Sequence, residues 1–378
     1  MKRNSGLRTW IEIRKSDLRN NYLTFRRFLK SKTKLMAVAK SNAYGHGLID
    51  YTHHMEYLGV DWFGVDSIVE ARALRENGIK KPILVLGYTL PEKNTEAFSN
   101  NISLTISSFE ALQELSKLFP AAPKIHLKID TGMHRQGFFI KELPRALEFI
   151  EQKMDLKMVE GVYTHFASAK DPKQPQDTLK QIEQFEKAIK ILASKNVRVI
   201  KHAAATSGTI NFPQSHYDMV RIGIGLYGLW PSRETFQSFH NKISLKPTLS
   251  WKTIISEIKN LPKGSKIGYD FTETLTRDSK IAVCPIGYWH GFPRALSSKG
   301  FVVIKNKICK VLGRVSMDMI TVDVTEVKEI KIGDIVTILG DQGQAPTAEI
   351  LAELCGTTNY EIITRLNPLI KRLYLPKA

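Results

Sequence analysis

Lys40 is the residue of this sequence with the most chemistry in its surroundings. It closes the apolar run Met36-Ala37-Val38-Ala39 and is followed by Ser41-Asn42-Ala43-Tyr44-Gly45-His46-Gly47. A lysine ending an apolar strand is expected to be partly desolvated. Desolvation lowers an amine's pKa from about 10.4 and makes it a better nucleophile and base. An aldehyde cofactor captures such an amine as an imine. On position alone, a lysine that merely snorkels at a strand end reads the same way. Further along, Thr206-Ser207-Gly208 offers hydroxyls at a strand-to-helix turn, and Arg221-Ile222-Gly223-Ile224-Gly225-Leu226-Tyr227-Gly228 offers close backbone approach. A phosphate needs backbone N–H groups, hydroxyls and little bulk. A Gly-x-Gly pair is equally well explained by packing, and a lone histidine such as His165 in Tyr163-Thr164-His165-Phe166-Ala167 is more often structural.

These residues need a scaffold that brings them together. From about residue 15 to 230, short apolar runs alternate with amphipathic helical patterns. A first helix is expected near Asp17–Lys30. Strands are expected at Lys34–Lys40, Trp62–Asp66, Ile83–Gly87, Ile102–Ser107, Lys124–Asp130, Val159–His165, Arg198–Ala204 and Met219–Leu226. Helical patterns lie between them at Val69–Glu76, Phe109–Phe119, Leu143–Gln152 and Leu179–Leu192. Strand then helix, repeated to eight, predicts an α/β fold, a parallel (β/α)₈ TIM barrel. In such barrels chemistry sits at the carboxyl ends of the strands. There lie Lys40, the segment Asp130-Thr131-Gly132-Met133-His134-Arg135, His165, Thr206-Ser207 and Arg221.

After Pro231 the pattern changes. Thr248–Ile258, Lys280–Pro285, Phe301–Ile308, Ile320–Val324 and Ile335–Leu339 read as strands of a mostly antiparallel β domain, with helical periodicity returning at Thr347–Leu354. The boundary is placed within Leu229–Lys246. The domains are read as 10–235 for the barrel and 236–378 for the β domain, with residues 1–12 packing against the latter.

With 43% hydrophobic and 24% charged residues, the chain has ample material for a core. No apolar run is long enough to span a membrane or to form a signal core, so a cytoplasmic protein without membrane attachment is expected. Three cysteines, Cys284, Cys309 and Cys355, form no C-x-x-C pair and suggest neither a disulfide framework nor a metal site. The net charge of +18 favours anionic partners, but Lys and Arg are spread along the chain rather than gathered in an arm. No nucleic-acid partner is expected.

The run from Met36 to Gly47 resembles, nearly residue for residue, the pyridoxal-phosphate attachment motif of bacterial alanine racemases. The resemblance extends over essentially the whole chain, with separated motifs in family order. It implies that Lys40 holds pyridoxal 5'-phosphate covalently, with Tyr44 near it. It implies that the Arg221–Gly228 segment, through Gly223 and Ile224, binds the phosphate with Thr206, Ser207 and Tyr360 of Asn359-Tyr360-Glu361-Ile362. Arg221 would face the pyridine nitrogen. An arginine does not readily release its proton, so the ring would be a weaker electron sink than one facing a carboxylate, which disfavours transamination. Arg135 would contact the cofactor's phenolic oxygen and the substrate carboxylate. Lys128 matches a position carbamylated in many members, where it orients that arginine. His165 would bridge Arg221 and a catalytic tyrosine. That tyrosine is implied to be Tyr288, in Pro285-Ile286-Gly287-Tyr288-Trp289-His290-Gly291-Phe292-Pro293-Arg294. The Gly313-Arg314-Val315-Ser316-Met317-Asp318 element would set Met317 and Asp318 by the substrate carboxylate. The sequence departs from the family pattern at His134, where small residues are usual; at Trp289-His290, which replaces a small-acidic pair; at Ser316, often cysteine; and at Ala205, often asparagine.

Racemisation needs a base on each face of the substrate's planar Cα. The resemblance implies Lys40 on one face and Tyr288, reaching over from a second subunit, on the other. A tyrosine acting near pH 7 needs about 3 pKa units of help, about 4 kcal/mol. The implied protein is a homodimer with shared active sites that interconverts L- and D-alanine and supplies D-alanine for the cell wall. A racemase of another or broader set of amino acids is the nearest alternative. A non-catalytic pyridoxal-phosphate-binding barrel protein would resemble only the barrel half.

Overall fold

The computed structural model describes residues 6–376, and the chain divides into two compact units. One takes Leu18–Ala43 and Leu48–Lys246; the other takes Met1–Asp17, Tyr44–Gly47 and Pro247–Ala378. Residues 1–5, with Lys2 and Arg3 and the start of the 1–12 segment, lie outside the described residues.

The chain opens with β1 (Thr9–Arg14) and α1 (Lys15–Phe28). Eight parallel strands follow: β2 (Lys34–Val38), β3 (Trp62–Val65), β4 (Ile83–Val85), β5 (Ser103–Ile106), β6 (Ile125–Lys128), β7 (Val159–Tyr163), β8 (Ile200–His202) and β9 (Met219–Ile222). They pair in the order β8-β7-β6-β5-β4-β3-β2-β9. The Ala205–Arg221 bridge, in which the Arg221 N–H donates to the Ala204 carbonyl at 2.9 Å, draws β8 onto β9 and nearly closes the ring. The expected barrel is present. Its strands are mostly buried, because both faces are covered. Helix starts are set by local chemistry: Ser67 and Ser108 each accept a backbone N–H at 3.3 Å, from Glu70 and Ala111, at the heads of Ile68–Glu76 and Phe109–Ser116.

Alternation along the strands puts every second side chain inside the barrel. Met36, Trp62, Leu84 and Met219 pack together there as an apolar plug. Two residues further along β9, β6, β7 and β8 the inward positions turn polar: Arg221, Lys128, Tyr163 and His202, all buried. A larger apolar cluster that includes Leu112, Leu127, Leu147, Val162 and Phe185 joins strands to outer helices.

The other unit is built on a sheet ordered β11-β14-β17-β16-β15-β18-β10-β1-β19. Its strands are β10 (Leu249–Ile254), β11 (Glu257–Leu261), β12 (Lys266–Ile267), β13 (Glu273–Thr274), β14 (Ser279–Cys284), β15 (Phe301–Ile304), β16 (Lys307–Leu312), β17 (Ile320–Asp323), β18 (Ile335–Leu339) and β19 (Lys371–Leu375). Strands β12 and β13 form a separate pair. All pairings are antiparallel except β1 with β19. Two expectations need correction. The run Thr248–Ile258 is not one strand: β10 lies between β1 and β18, whereas β11 pairs with β14 at the sheet edge. The first barrel strand stops at Val38, and Lys40 begins a turn of another kind.

Candidate active site

That turn, α2 (Lys40–Tyr44), is wound the wrong way for L residues. Ser41, Asn42, Ala43 and Tyr44 have φ of 56, 56, 51 and 51°. Left-handed winding costs about 1–2 kcal/mol per residue, so roughly 4–8 kcal/mol here. Tertiary bonds offset it. The Asn42 N–H donates to Glu70 Oε1 at 3.2 Å, and Asn42 Oδ1 accepts the Leu48 N–H at 2.9 Å. The other Glu70 oxygen accepts the Asp66 N–H at 2.9 Å, so one carboxylate ties this turn to the end of β3. Lys40 Nζ reaches Asp66 Oδ1 at 3.5 Å. With 39% of its side chain accessible, Lys40 is not the desolvated strand-end lysine that its position in the sequence suggested.

Across the barrel mouth, Arg221 is held on every side. Its Nη2 donates to the carbonyls of Thr164 and Ala203 at 2.8 and 2.9 Å and approaches His165 Nδ1 at 3.2 Å. Its Nη1 bonds His202 Nδ1 at 3.0 Å, and its guanidinium lies 5.1 Å from the centroid of the Tyr163 ring. Because a guanidinium only donates, His165 Nδ1 must accept, which leaves the His165 proton on Nε2. Burial, then the charges of Arg221, Arg135, Lys128 and Lys40, push His165 down to about 3, so it is neutral. Lys128 is lowered to about 8 by burial, then by Arg135, Arg221 and Lys40; its Nζ donates to Gln136 Oε1 at 3.0 Å. Arg135 itself is exposed. The Asp130 carboxylate gathers the N–H groups of Gly132, Met133 and His134 at 2.9, 3.1 and 3.0 Å. His134 sits at φ 53°, in the left-handed region that glycine prefers, which explains why a small residue suits this position.

The phosphate stations show a shared arrangement. Thr206 is buried at the head of the Thr206–Asn211 helix, and its hydroxyl accepts the N–H groups of Gly223 and Gly225 at 3.3 and 3.4 Å. The hydroxyl expected to meet a phosphate thus also organises the backbone expected to meet it. Ser207 is half-buried beside it, and Ile224 is buried. Gly225 is required by packing, because a Cβ there would lie 2.5 Å from the Phe25 ring.

The other unit carries the remaining residues. Tyr288 begins the short turn Tyr288–His290. Its N–H donates to the Ser316 carbonyl at 3.0 Å, and the Trp289 N–H to the Met317 carbonyl at 3.0 Å. Gly287 permits this approach, since a Cβ there would lie 2.1 Å from the Ser316 oxygen. The structure therefore brings Tyr288 and the Met317-Asp318 element together. Tyr288 and Met317 are exposed, at 44% and 54%, and Asp318 is half-buried. His290 is buried, and its Nδ1 accepts the Gly287 N–H at 3.2 Å, so this departure from the family pattern buttresses the tyrosine turn. Tyr44 and Tyr360 face each other with ring centroids 6.1 Å apart; burial raises the Tyr360 hydroxyl, with the neighbouring Tyr44 adding to it. Arg372 donates to the Gly45 carbonyl at 3.1 and 3.0 Å and fixes the segment after Tyr44.

Sequence reasoning missed Asp66, Glu70, Gln136, His126 and His202. The last two were legible as histidines at inward strand positions. The residues present fit pyridoxal phosphate: an accessible amine, a guanidinium anchored through Nη1 and Nη2 beside a neutral histidine, and a buried hydroxyl gathering glycine N–H groups. The cations at the mouth, which add to burial in lowering Lys128 and His165, suit a phosphate and an amino-acid carboxylate. Among the described residues, no group of His, Cys, Asp and Glu could hold a metal ion, and no helix is long and apolar enough to cross a membrane.

Comparison with known proteins agrees with this arrangement. Residues 13–231 match the family described as "Alanine racemase, N-terminal domain", and residues 248–374 match "Alanine racemase, C-terminal domain". A protein of Leptospira interrogans serogroup Icterohaemorrhagiae serovar Lai, named alanine racemase, is 41% identical over 97% of this chain and 95% of its own length. An alanine racemase of Methanococcus maripaludis is 36% identical over 97% and 98%. Among solved structures, an alanine racemase of Clostridium difficile 630 superposes with TM-score 0.93 at 33% identity, covering 98% of this chain and 97% of that one. The Bacillus anthracis alanine racemase with bound L-Ala-P gives 0.91 at 33% identity, covering 97% and 95%.

Proposed function

We infer, from the premise that this chain belongs to the alanine racemase family, that it interconverts L- and D-alanine with Lys40 and Tyr288 of the partner subunit as its two bases. It is an isomerase that uses pyridoxal phosphate. When bound, the coenzyme supplies the electron-withdrawing ring that acidifies the substrate's Cα proton. The protein does the rest. Lys40 holds the coenzyme and takes or returns the proton on one face. Tyr288 of the partner subunit takes or returns it on the other. In the L-to-D direction the phenol is the base and the amine the acid; in the reverse direction they exchange roles. Arg221 holds the ring nitrogen without giving it a proton. The neutral His165, with its proton on Nε2, is able to donate to a phenolate and so stabilise it. Arg135 holds the substrate carboxylate, oriented by a carbamylated Lys128. Met317 and Asp318 border that carboxylate from the partner's side. Gly223, Ile224, Thr206, Ser207 and Tyr360 hold the phosphate, and Tyr44 lies near the coenzyme.

The observation that carries this reading is the anchoring of Arg221, whose Nη1 and Nη2 are directed at protein acceptors and whose histidine neighbour is forced into one tautomer. The exposure of Tyr288 and Met317 next to each other, with Asp318 half-buried beside them, supports a homodimer with shared sites. Supply of D-alanine to the bacterial cell wall is the role that follows. The test has three parts. Visible absorbance of bound coenzyme should vanish in Lys40→Ala. Conversion across a panel of amino acids should favour alanine. Tyr288→Phe should lose turnover, and dimers mixed from the two variants should regain one working site. Near-normal turnover in Tyr288→Phe would refute the two-base assignment.

A further inference from the structure

Inside the barrel a row of polar side chains leads to Arg221, and no step above uses its other members. It starts at Glu160, near the amino-terminal end of β7, and ends at Arg221, near the opposite end. Glu160 Oε2 lies 3.6 Å from His126 Nε2. His126 Nδ1 lies 2.8 Å from His202 Nε2, and His202 Nδ1 lies 3.0 Å from Arg221 Nη1. His126, His202 and Arg221 are all buried. Outside them, Glu160 accepts from the Ser103 hydroxyl at 2.6 Å and from the Lys124 ammonium at 3.3 Å.

The direction of both hydrogen bonds in the row is forced. The guanidinium only donates, so His202 Nδ1 accepts and the His202 proton is on Nε2. That proton is donated to His126 Nδ1, which places the His126 proton on Nε2, facing the carboxylate. Burial lowers both rings, for His202 with the charge of Arg221 adding and for His126 against the raising effect of Glu160. His126 Nε2 has no hydrogen-bond partner, and the Glu160 carboxylate stands 3.6 Å from it. A buried N–H is costly when left unmet. The row is walled: the Tyr163 ring stacks on His202 at 4.8 Å and 9°, and Trp62 meets His126 edge-on at 5.3 Å. Gly161 makes room for the His126 ring, because a Cβ there would lie 2.1 Å from Nδ1. Among the described residues no carboxylate lies within ion-pair distance of Arg221. The Glu160 carboxylate faces it across the two imidazoles, which the two bonds and the charges at either end polarise in one direction.

We propose that Glu160 is a positioning residue for the reaction: from the far end of the barrel, through His126 and His202, its carboxylate holds the Arg221 guanidinium in place and fixes the single direction of the row. The proposal rests on the role given above to Arg221 opposite the pyridine nitrogen, and the test separates the two. In coenzyme-bound protein carrying ¹⁵N-labelled histidine and arginine, His126 and His202 should each show a protonated Nε2 and a bare Nδ1, unchanged across the pH range in which exposed histidines titrate. A protonated Nδ1 or an imidazolium at either position overturns the proposal without any variant. In Glu160→Gln the His202 and Arg221 Nη resonances should both shift. The visible band of the bound coenzyme should move with them, and kcat should fall roughly tenfold at little-changed KM, the scale of losing an outer partner of a functional group. If only His126 responds, the row transmits nothing and the proposal fails. If His202 and Arg221 respond but the coenzyme band stays fixed, the row stands and the placement of Arg221 at the ring nitrogen is what falls.

Discussion

Replacing Gly161 by alanine should act on the barrel interior through one added methyl group. An alanine Cβ at this position would lie 2.1, 2.3 and 2.7 Å from Nδ1, Cε1 and Cγ of His126. The ring has little room to retreat, with Trp62 on one side and His202 bonded at 2.8 Å on the other. Overpacking of this kind costs about 1–3 kcal/mol. Pushing His126 aside also breaks its bond to His202 and leaves a buried donor unmet, about 1–3 kcal/mol more. The sum of about 2–6 kcal/mol is a large part of a typical domain stability of about 5–15 kcal/mol. In a barrel of this size, about 3 kcal/mol corresponds to a melting temperature lower by roughly 6–12 °C. Thermal denaturation followed by circular dichroism, on coenzyme-saturated protein, reads the effect. A double-mutant cycle with His126→Ala isolates the clash, because Gly161→Ala should cost about 2 kcal/mol less once the ring is gone. A melting temperature within about 2 °C of the parent, or strict additivity in the cycle, would refute the steric reasoning.

Lys128 should bind carbon dioxide as a carbamate at alkaline pH, since only the neutral amine adds it and the pKa is lowered to about 8; a ¹³C carbamate signal should grow as pH rises through 8, and its absence at about pH 9 would speak against the modification. The same shift fixes a stability slope. Between about 8 and the ordinary 10.5 the unfolded chain binds more protons at this lysine than the folded one, so this group's contribution to stability rises with pH over that window and is flat below it. Glu70→Ala should release the left-handed turn by removing the acceptor of the Asn42 and Asp66 N–H groups; a loss of about 1–3 kcal/mol and weaker coenzyme retention are expected, to be measured by denaturation and by dialysis against coenzyme-free buffer.

The barrel was legible because its strands are short, largely apolar runs separated by helical patterns and repeated to eight. Strand ends were less so. Apolar character continues past Val38 through Ala39, although pairing stops, and Thr248–Ile258 stays strand-like across Ile255, where the chain leaves one sheet position for another. Strand β19 was missed because Lys371-Arg372 disguises it; Arg372 is buried and spent on the Gly45 carbonyl. The residues around Lys40 were found through their resemblance to a motif, but their conformation was not readable. Nothing in Ser41-Asn42-Ala43-Tyr44 announces positive φ, since no glycine occurs there, and the carboxylate that stabilises it stands 28 residues away at Glu70. The histidine row was hidden for a similar reason: its members come from separate strands and meet only once the sheet has curled.

The reversed winding after Lys40 has a consequence for how this protein acquires its coenzyme. A counter-wound coil of L residues has no stability of its own and exists only while Glu70 and the end of β3 hold it. A nascent or partly assembled chain therefore offers its amine on an ordinary flexible tether. Capture in working geometry becomes a late event, reserved for copies whose barrel has already formed, and an immature chain has no ready-made berth in which to sequester the aldehyde.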